Sequence, residues 1–97
     1  MLRGHLGQRF RKPPKPNMIP GRSYTVDEIS EIQTVASRFF ETTGIPDGKA
    51  WIEIAYGADE PYFVLNIGRD WRGPIPELAE RFEGYPLYSE PGRVVFA

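Results

Sequence analysis

The one histidine of the chain, His5, stands among glycines and arginines near its start. Nothing local would hold its imidazole against an orienting carboxylate, so general acid–base catalysis through histidine is not expected. Ser23, Ser30, Ser37 and Ser89 lack a glycine-elbow context, and no later histidine is present to complete a triad. With no cysteine there is no thiolate, no disulfide framework and no Cys/His zinc site. Carboxylates are what remain: Asp59 beside Glu60, and Glu77, Glu80 and Glu83 at helical spacing. Acids at a turn tip or on an exposed helix stay solvated, whereas acid–base work needs a desolvated carboxylate with a shifted pKa. Gly68, Gly73, Gly84 and Gly92 fall in separate turns and make no phosphate-cradling loop. The expectation is a chain that is not an enzyme and that uses no cofactor and no metal.

Recognition chemistry is better represented. Arg69, Asp70, Trp71 and Arg72 put two guanidinium groups and an indole into one loop, and arginine and tryptophan are the residue types enriched at binding hot spots. The competing structural role has Trp71 plugging one end of the core while Asp70 pairs with a neighbouring arginine. Trp51, Tyr62 and Val64 are expected to share one face of a sheet. Left uncovered, that face is an apolar interaction surface; the alternatives are that the N-terminal arm or a second subunit covers it. These residues point to a protein partner of unspecified identity, with Arg69, Asp70, Trp71, Arg72, Trp51 and Tyr62 as the contact set.

Charge divides the chain. The first 22 residues hold six of the twelve basic residues and none of the thirteen acidic ones, leaving six bases against thirteen acids, a net −7, in the remainder. The leader also carries Pro13, Pro14, Pro16 and Pro20 with Gly4, Gly7 and Gly21, a density of helix and strand breakers that predicts a flexible arm over residues 1–22 with polyproline II character at Lys12 to Pro16. Through Arg3, Arg9, Arg11, Lys12 and Lys15 such an arm could neutralise phosphates, so an accessory nucleic-acid-binding role is the alternative function. Leu2, Leu6 and Phe10 suggest an amphipathic targeting helix weakened by Gly4 and Gly7, and Pro13-Pro14-Lys15-Pro16 has PxxP spacing. An acidic body suits a basic protein partner, whose approach its field would accelerate. The aromatic sheet face invites comparison with single-strand RNA platforms, but Glu53 in its middle and the acidic body oppose it.

Behind these residues, 97 residues at 40% hydrophobic and 26% charged content allow one small core and no second domain. The longest apolar runs, such as Val94 to Ala97, are far below the ~20 residues of a membrane span, and the expected compartment is the cytoplasm. One α+β domain is expected over residues 23–97.

Its first helix is announced by Thr25-Val26-Asp27-Glu28, a capping box with Thr25 at N-cap and Glu28 at N3. Ile29, Ile32, Ala36, Phe39 and Phe40, with Val35 at the margin, form its apolar stripe, and Gly44 followed by Pro46 ends it near Thr43. Two alternating runs, 50–56 and 61–67, form a hairpin in which a four-residue loop pairs Tyr56 with Pro61, Ile54 with Phe63 and Ile52 with Leu65. A second helix is expected from Pro76 to Gly84 with Leu78, Ala79 and Phe82 inward. A second hairpin over 85–89 and 93–97 turns at Glu90-Pro91-Gly92. The expected fold is therefore a two-layer α+β sandwich in the order α-β-β-α-β-β, its sheet small and mostly antiparallel, with both helices on one face.

Overall fold

A computed structural model describes residues 10–14, 23–57 and 59–91. One helix, α1 (Val26–Thr43), lies over a four-stranded sheet built from β1 (Ala50–Tyr56), β2 (Pro61–Ile67), β3 (Arg81–Phe82) and β4 (Tyr85–Pro91) in the spatial order β1-β2-β4-β3. The helix starts where its capping chemistry puts it. Glu28 N–H donates to Thr25 Oγ1 at 3.1 Å, and Thr25 N–H donates to Glu28 Oε1 at 2.9 Å. Gly44, left-handed at φ 73°, closes the other end. Ile32, Val35, Ala36 and Phe39 are buried, while Phe40 is half-buried. The buried stripe is thus centred on Val35 as much as on Ala36, which leaves Phe40 at its flank.

The β1–β2 hairpin has the predicted register, with Ile52 opposite Leu65, Ile54 opposite Phe63 and Tyr56 opposite Pro61. Phe63 and Leu65 are fully enclosed and form the floor beneath α1, Phe63 lying 6.4 Å from the Phe39 ring and 5.2 Å from Tyr85. Pro61 lies outside the β2–β4 ladder, which begins at Phe63, and so leaves no ladder bond unmade.

Three expectations are corrected. No helix forms at 76–84. That stretch has no regular secondary structure up to β3, where Arg81 and Phe82 pair with Pro86 and Tyr85 across a two-residue turn. Glu83 and Gly84 both have positive φ, 49° and 92°, as a type I′ hairpin needs. A two-turn helix is marginal in isolation, Pro76 biases Ile75 to extended backbone, and burying Phe82 against Phe39 at 5.5 Å favours the strand. The sheet is mostly antiparallel, as expected, through β1–β2 and β3–β4, but β4 runs parallel to β2, with Phe63 opposite Leu87 and Leu65 opposite Ser89. This placement brings Leu87 and Ser89, both buried, onto the helix-covered face. The helical layer accordingly contains one helix among the described residues. Glu90 and Pro91 belong to β4 rather than to a turn, and the expected partner strand at 93–97 lies outside the described residues.

Part of the predicted arm belongs to the body. Phe10 packs against the core. Arg11 lies along β4, its carbonyl accepting from Ser89 N–H at 2.8 Å and its own N–H donating to Ser89 Oγ at 3.3 Å.

Candidate functional site

β1 is an edge strand, with β2 on one flank and, among the described residues, no strand on the other. Gly68 N–H donates to the Lys49 carbonyl at 2.7 Å, so Lys49 and Gly68 form a hydrogen-bonded pair. Antiparallel ladders alternate such pairs with non-bonded ones. Continuing the register, Trp51, Glu53 and Ala55 bond to β2, while Ile52, Ile54 and Tyr56 direct N–H and C=O outward. Pro61, which has no N–H, sits opposite Tyr56 in keeping with this phase. Among the described residues no segment pairs with these outward groups.

Alongside that edge runs a groove of about 530 Å³ between α1 and β1. One wall is Gln33, Ser37, Phe40 and Glu41 from the helix, the flank that the Val35-centred burial leaves open; the other is Ala50, Trp51, Ile52 and Ile54, with Asp47 at one end. Its apolar floor comes from side chains that the sequence reading assigned wholly to the core. The helical spacing of Gln33, Ser37 and Glu41 was the available signal for the wall, but the open edge depends on strand order.

The predicted contact set is divided by the structure. Trp51 is 42% exposed and lines the groove. Tyr62, on the same sheet face, is only 7% exposed. Tyr88 meets its ring edge-on at 5.2 Å, and its hydroxyl donates to the Pro14 carbonyl at 3.5 Å. Burial raises the pKa of this phenol, which stays neutral and serves as packing. The arm thus contributes to covering this face, and Trp51 and Tyr62 do not make one patch.

In the 69–72 loop, the Trp71 indole is half-buried against the core and donates from Nε1 to the Pro74 carbonyl at 3.0 Å. Asp70 pairs with Lys49, Nζ to Oδ2 at 2.7 Å, rather than with an arginine; that hydrogen bond holds its pKa below the usual value. Arg72 donates to the Arg69 carbonyl at 2.8 Å, and both arginines are exposed. The Lys49 contacts put this loop at the start of β1, the end of the groove marked by Asp47.

Of the arm cations, Arg3, Arg9 and Lys15 lie outside the described residues. Lys12 is exposed. Arg11 is committed to the body: its guanidinium donates to the carbonyls of Leu87, through Nε at 2.9 Å and also through Nη2, and of Glu80 at 2.9 Å, and sits 5.2 Å from the Tyr88 ring centre.

Two of the candidate carboxylates, Glu60 and Glu83, are held in ion pairs. Glu60 accepts a two-pronged pair from Arg81 at 3.0 and 2.9 Å, and Glu83 one from Arg38 at 2.8 and 2.6 Å. Each arginine's hydrogen bonds lower its partner's pKa, opposite to the elevation that a general acid requires. Among the described residues no three His, Cys, Asp or Glu side chains are grouped to hold a metal ion, and no helix is long and apolar enough to cross a membrane. In comparisons with known proteins, no family model, curated protein or solved structure matches the chain.

Proposed function

We propose that this chain is a non-enzymatic protein-interaction module that takes an extended segment of its partner as an added strand on β1. The observation that carries the reading is the pairing phase of β1: Ile52, Ile54 and Tyr56 turn their backbone groups outward beside a groove with an apolar floor. Strand addition needs these two features together. Main-chain hydrogen bonds supply affinity, and pockets for alternate side chains supply selectivity. Trp51 stands at the rim as a large exposed anchor of the kind that dominates interface energetics. Arg69 and Arg72 flank one end and extend the contact. The nucleic-acid alternative is weakened by the engagement of Arg11 with three backbone carbonyls.

Ile54→Pro tests the reading. Residue 54 points its N–H away from β2, so proline there removes an outward donor without removing a β1–β2 bond. A fluorescent Val-Ser alternating peptide should bind the native chain and lose at least about tenfold in affinity on the variant. Ser37→Trp, at an exposed helix position that lines the groove, should cause a similar loss by filling the space. Binding unaffected by both changes would remove β1 and its groove as the docking site.

A further inference from the structure

Resting on the strand-addition reading, we infer that the segment accepted by β1 is one of alternating apolar and basic residues, its apolar side chains turned to α1 and its lysines or arginines turned away.

An added strand places its side chains alternately on the two faces of the sheet, beside those of its neighbour. On the helix side that neighbour offers Ile52 and Ile54, with Ala36 and Phe40 across the groove. Apolar side chains gain most there, because the polar groups of the groove, on Gln33, Ser37, Glu41 and Asp47, are all exposed and the floor is aliphatic and aromatic. On the opposite face β1 offers Trp51, Glu53 and Ala55, and Glu53 is exposed. A cation laterally beside Glu53 gains an opposite-charge cross-strand pair, and one over the Trp51 indole gains a cation–π contact.

Glu41 and Asp47 line the groove itself, no lysine or arginine does, and neither carboxylate is in an ion pair among the described residues. The cations near the Asp47 end stand outside that lining: Lys49 is held by Asp70, and the exposed Arg69 and Arg72 lie in the neighbouring loop. Charge also weighs against a second copy of this chain on the same edge. Pairing β1 with β1 around a two-fold axis would bring two Glu53 carboxylates, each on an acidic body, close to one another, and like charges across strands are unfavourable.

The test uses the full chain and three labelled peptides of equal length, alternating Val-Lys, Val-Ser and Val-Glu, titrated at low and at high salt. Val-Lys should bind about tenfold tighter than Val-Ser and still tighter than Val-Glu at low salt, with the gap narrowing as salt rises. The charge-reversed chain carrying Glu53→Lys and Glu41→Lys should reverse the order of Val-Lys and Val-Glu. Both substitutions are at exposed positions, so the fold is retained, and circular dichroism checks it. Equal affinity for the three peptides, or an order unmoved by charge reversal, overturns the inference. If Val-Ser still loses affinity on Ile54→Pro, the strand-addition reading stands without it. Loss of neither preference nor affinity on Ile54→Pro overturns both. Self-association of the native chain that Ile54→Pro abolishes would assign the edge to a second copy and also overturn the basic-partner inference.

Discussion

Arg11 and Leu87 are joined across most of the chain's length, the guanidinium Nε donating to the Leu87 carbonyl at 2.9 Å. The contact lies where β3 has ended and β4 has lost its outer neighbour. Leu87 N–H is taken by the Glu80 carbonyl and Ser89 N–H by the Arg11 carbonyl. Backbone of residue 11 and side chain of residue 11 therefore continue the edge that β3 covers for only two residues. A partly buried carbonyl without a donor costs about 1–3 kcal/mol, and Arg11→Ala is expected to lower unfolding free energy by that amount. Arg11→Lys should recover part of the loss only, since an ammonium lacks the planar fork that reaches Leu87 and Glu80 together. Urea titration of the three chains measures it; an Arg11→Ala midpoint equal to the native one would contradict the edge-closing role.

Gly84 has φ 92° in the two-residue turn between β3 and β4, and a Cβ built there meets nothing within 4 Å. Any cost of Gly84→Ala is therefore one of backbone conformation, about 1–2 kcal/mol. Its neighbour Glu83 already carries a left-handed φ of 49° while reaching Arg38 on α1. Thermal melts should show Gly84→Ala destabilised, and Gly84→Asn less so because asparagine tolerates left-handed backbone.

Local chemistry was what the sequence made readable. The capping box from Thr25 to Glu28 and the stop at Gly44 placed α1, and alternation across a four-residue loop set the Ile52–Leu65 register. Three features were settled by contacts between distant residues. The spacing of Leu78 and Phe82 suits a short helix, but pairing with Tyr85 and packing on Phe39 select a strand. Tyr85 to Pro91 inserts in parallel beside β2 because Leu87 and Ser89 can be buried there, a choice that no local pattern encodes. Arg11 carries the same positive charge as the rest of the leader, and only the edge of β4 distinguishes it. The groove followed suit: alternation put Trp51 on the face opposite Ile52, whereas the outward backbone phase of Ile52 and Ile54 required strand order.

Among the described residues three ion pairs fasten the entry to β1, α1 and the hairpin tips to their neighbours: Lys49 with Asp70, Arg38 with Glu83, and Arg81 with Glu60. In each the acid's pKa is lowered, foremost by the hydrogen bond from its basic partner. A depressed folded-state value means that the stabilisation is complete above the unfolded pKa and disappears as pH falls through the folded one. The reference values are 4.5 for the glutamates and 3.8 for the aspartate. Stability from these pairs should thus be level above about pH 5 and decline below it. Salt should shrink the decline, as all three pairs are exposed. Chemical denaturation between pH 3 and 7 of the chain carrying Glu60→Gln, Glu83→Gln and Asp70→Asn should give a flatter profile; the same slope as the native chain would exclude these pairs as its source.

Trp71 and Gly73 are in close contact in the connection between β2 and β3. A Cβ on Gly73 would stand 2.2 Å from Cζ2 of the indole, so Gly73→Ala has to displace the ring. The ring packs on the core and spends its N–H on Pro74, and moving it should cost about 1–3 kcal/mol. In a Trp51→Phe background Trp71 is the only tryptophan, so its emission reports the ring's surroundings directly. Gly73→Ala should shift that emission to longer wavelength and lower the urea midpoint together. Trp71→Ala in the native background should likewise destabilise, by about 2 kcal/mol for a half-buried indole. Yet Trp71 does not line the groove, so under conditions where the variant is folded its affinity for the Val-Lys peptide should match the native chain's. A lost affinity in a folded Trp71→Ala chain would move the contact surface from β1 to the 69–72 loop.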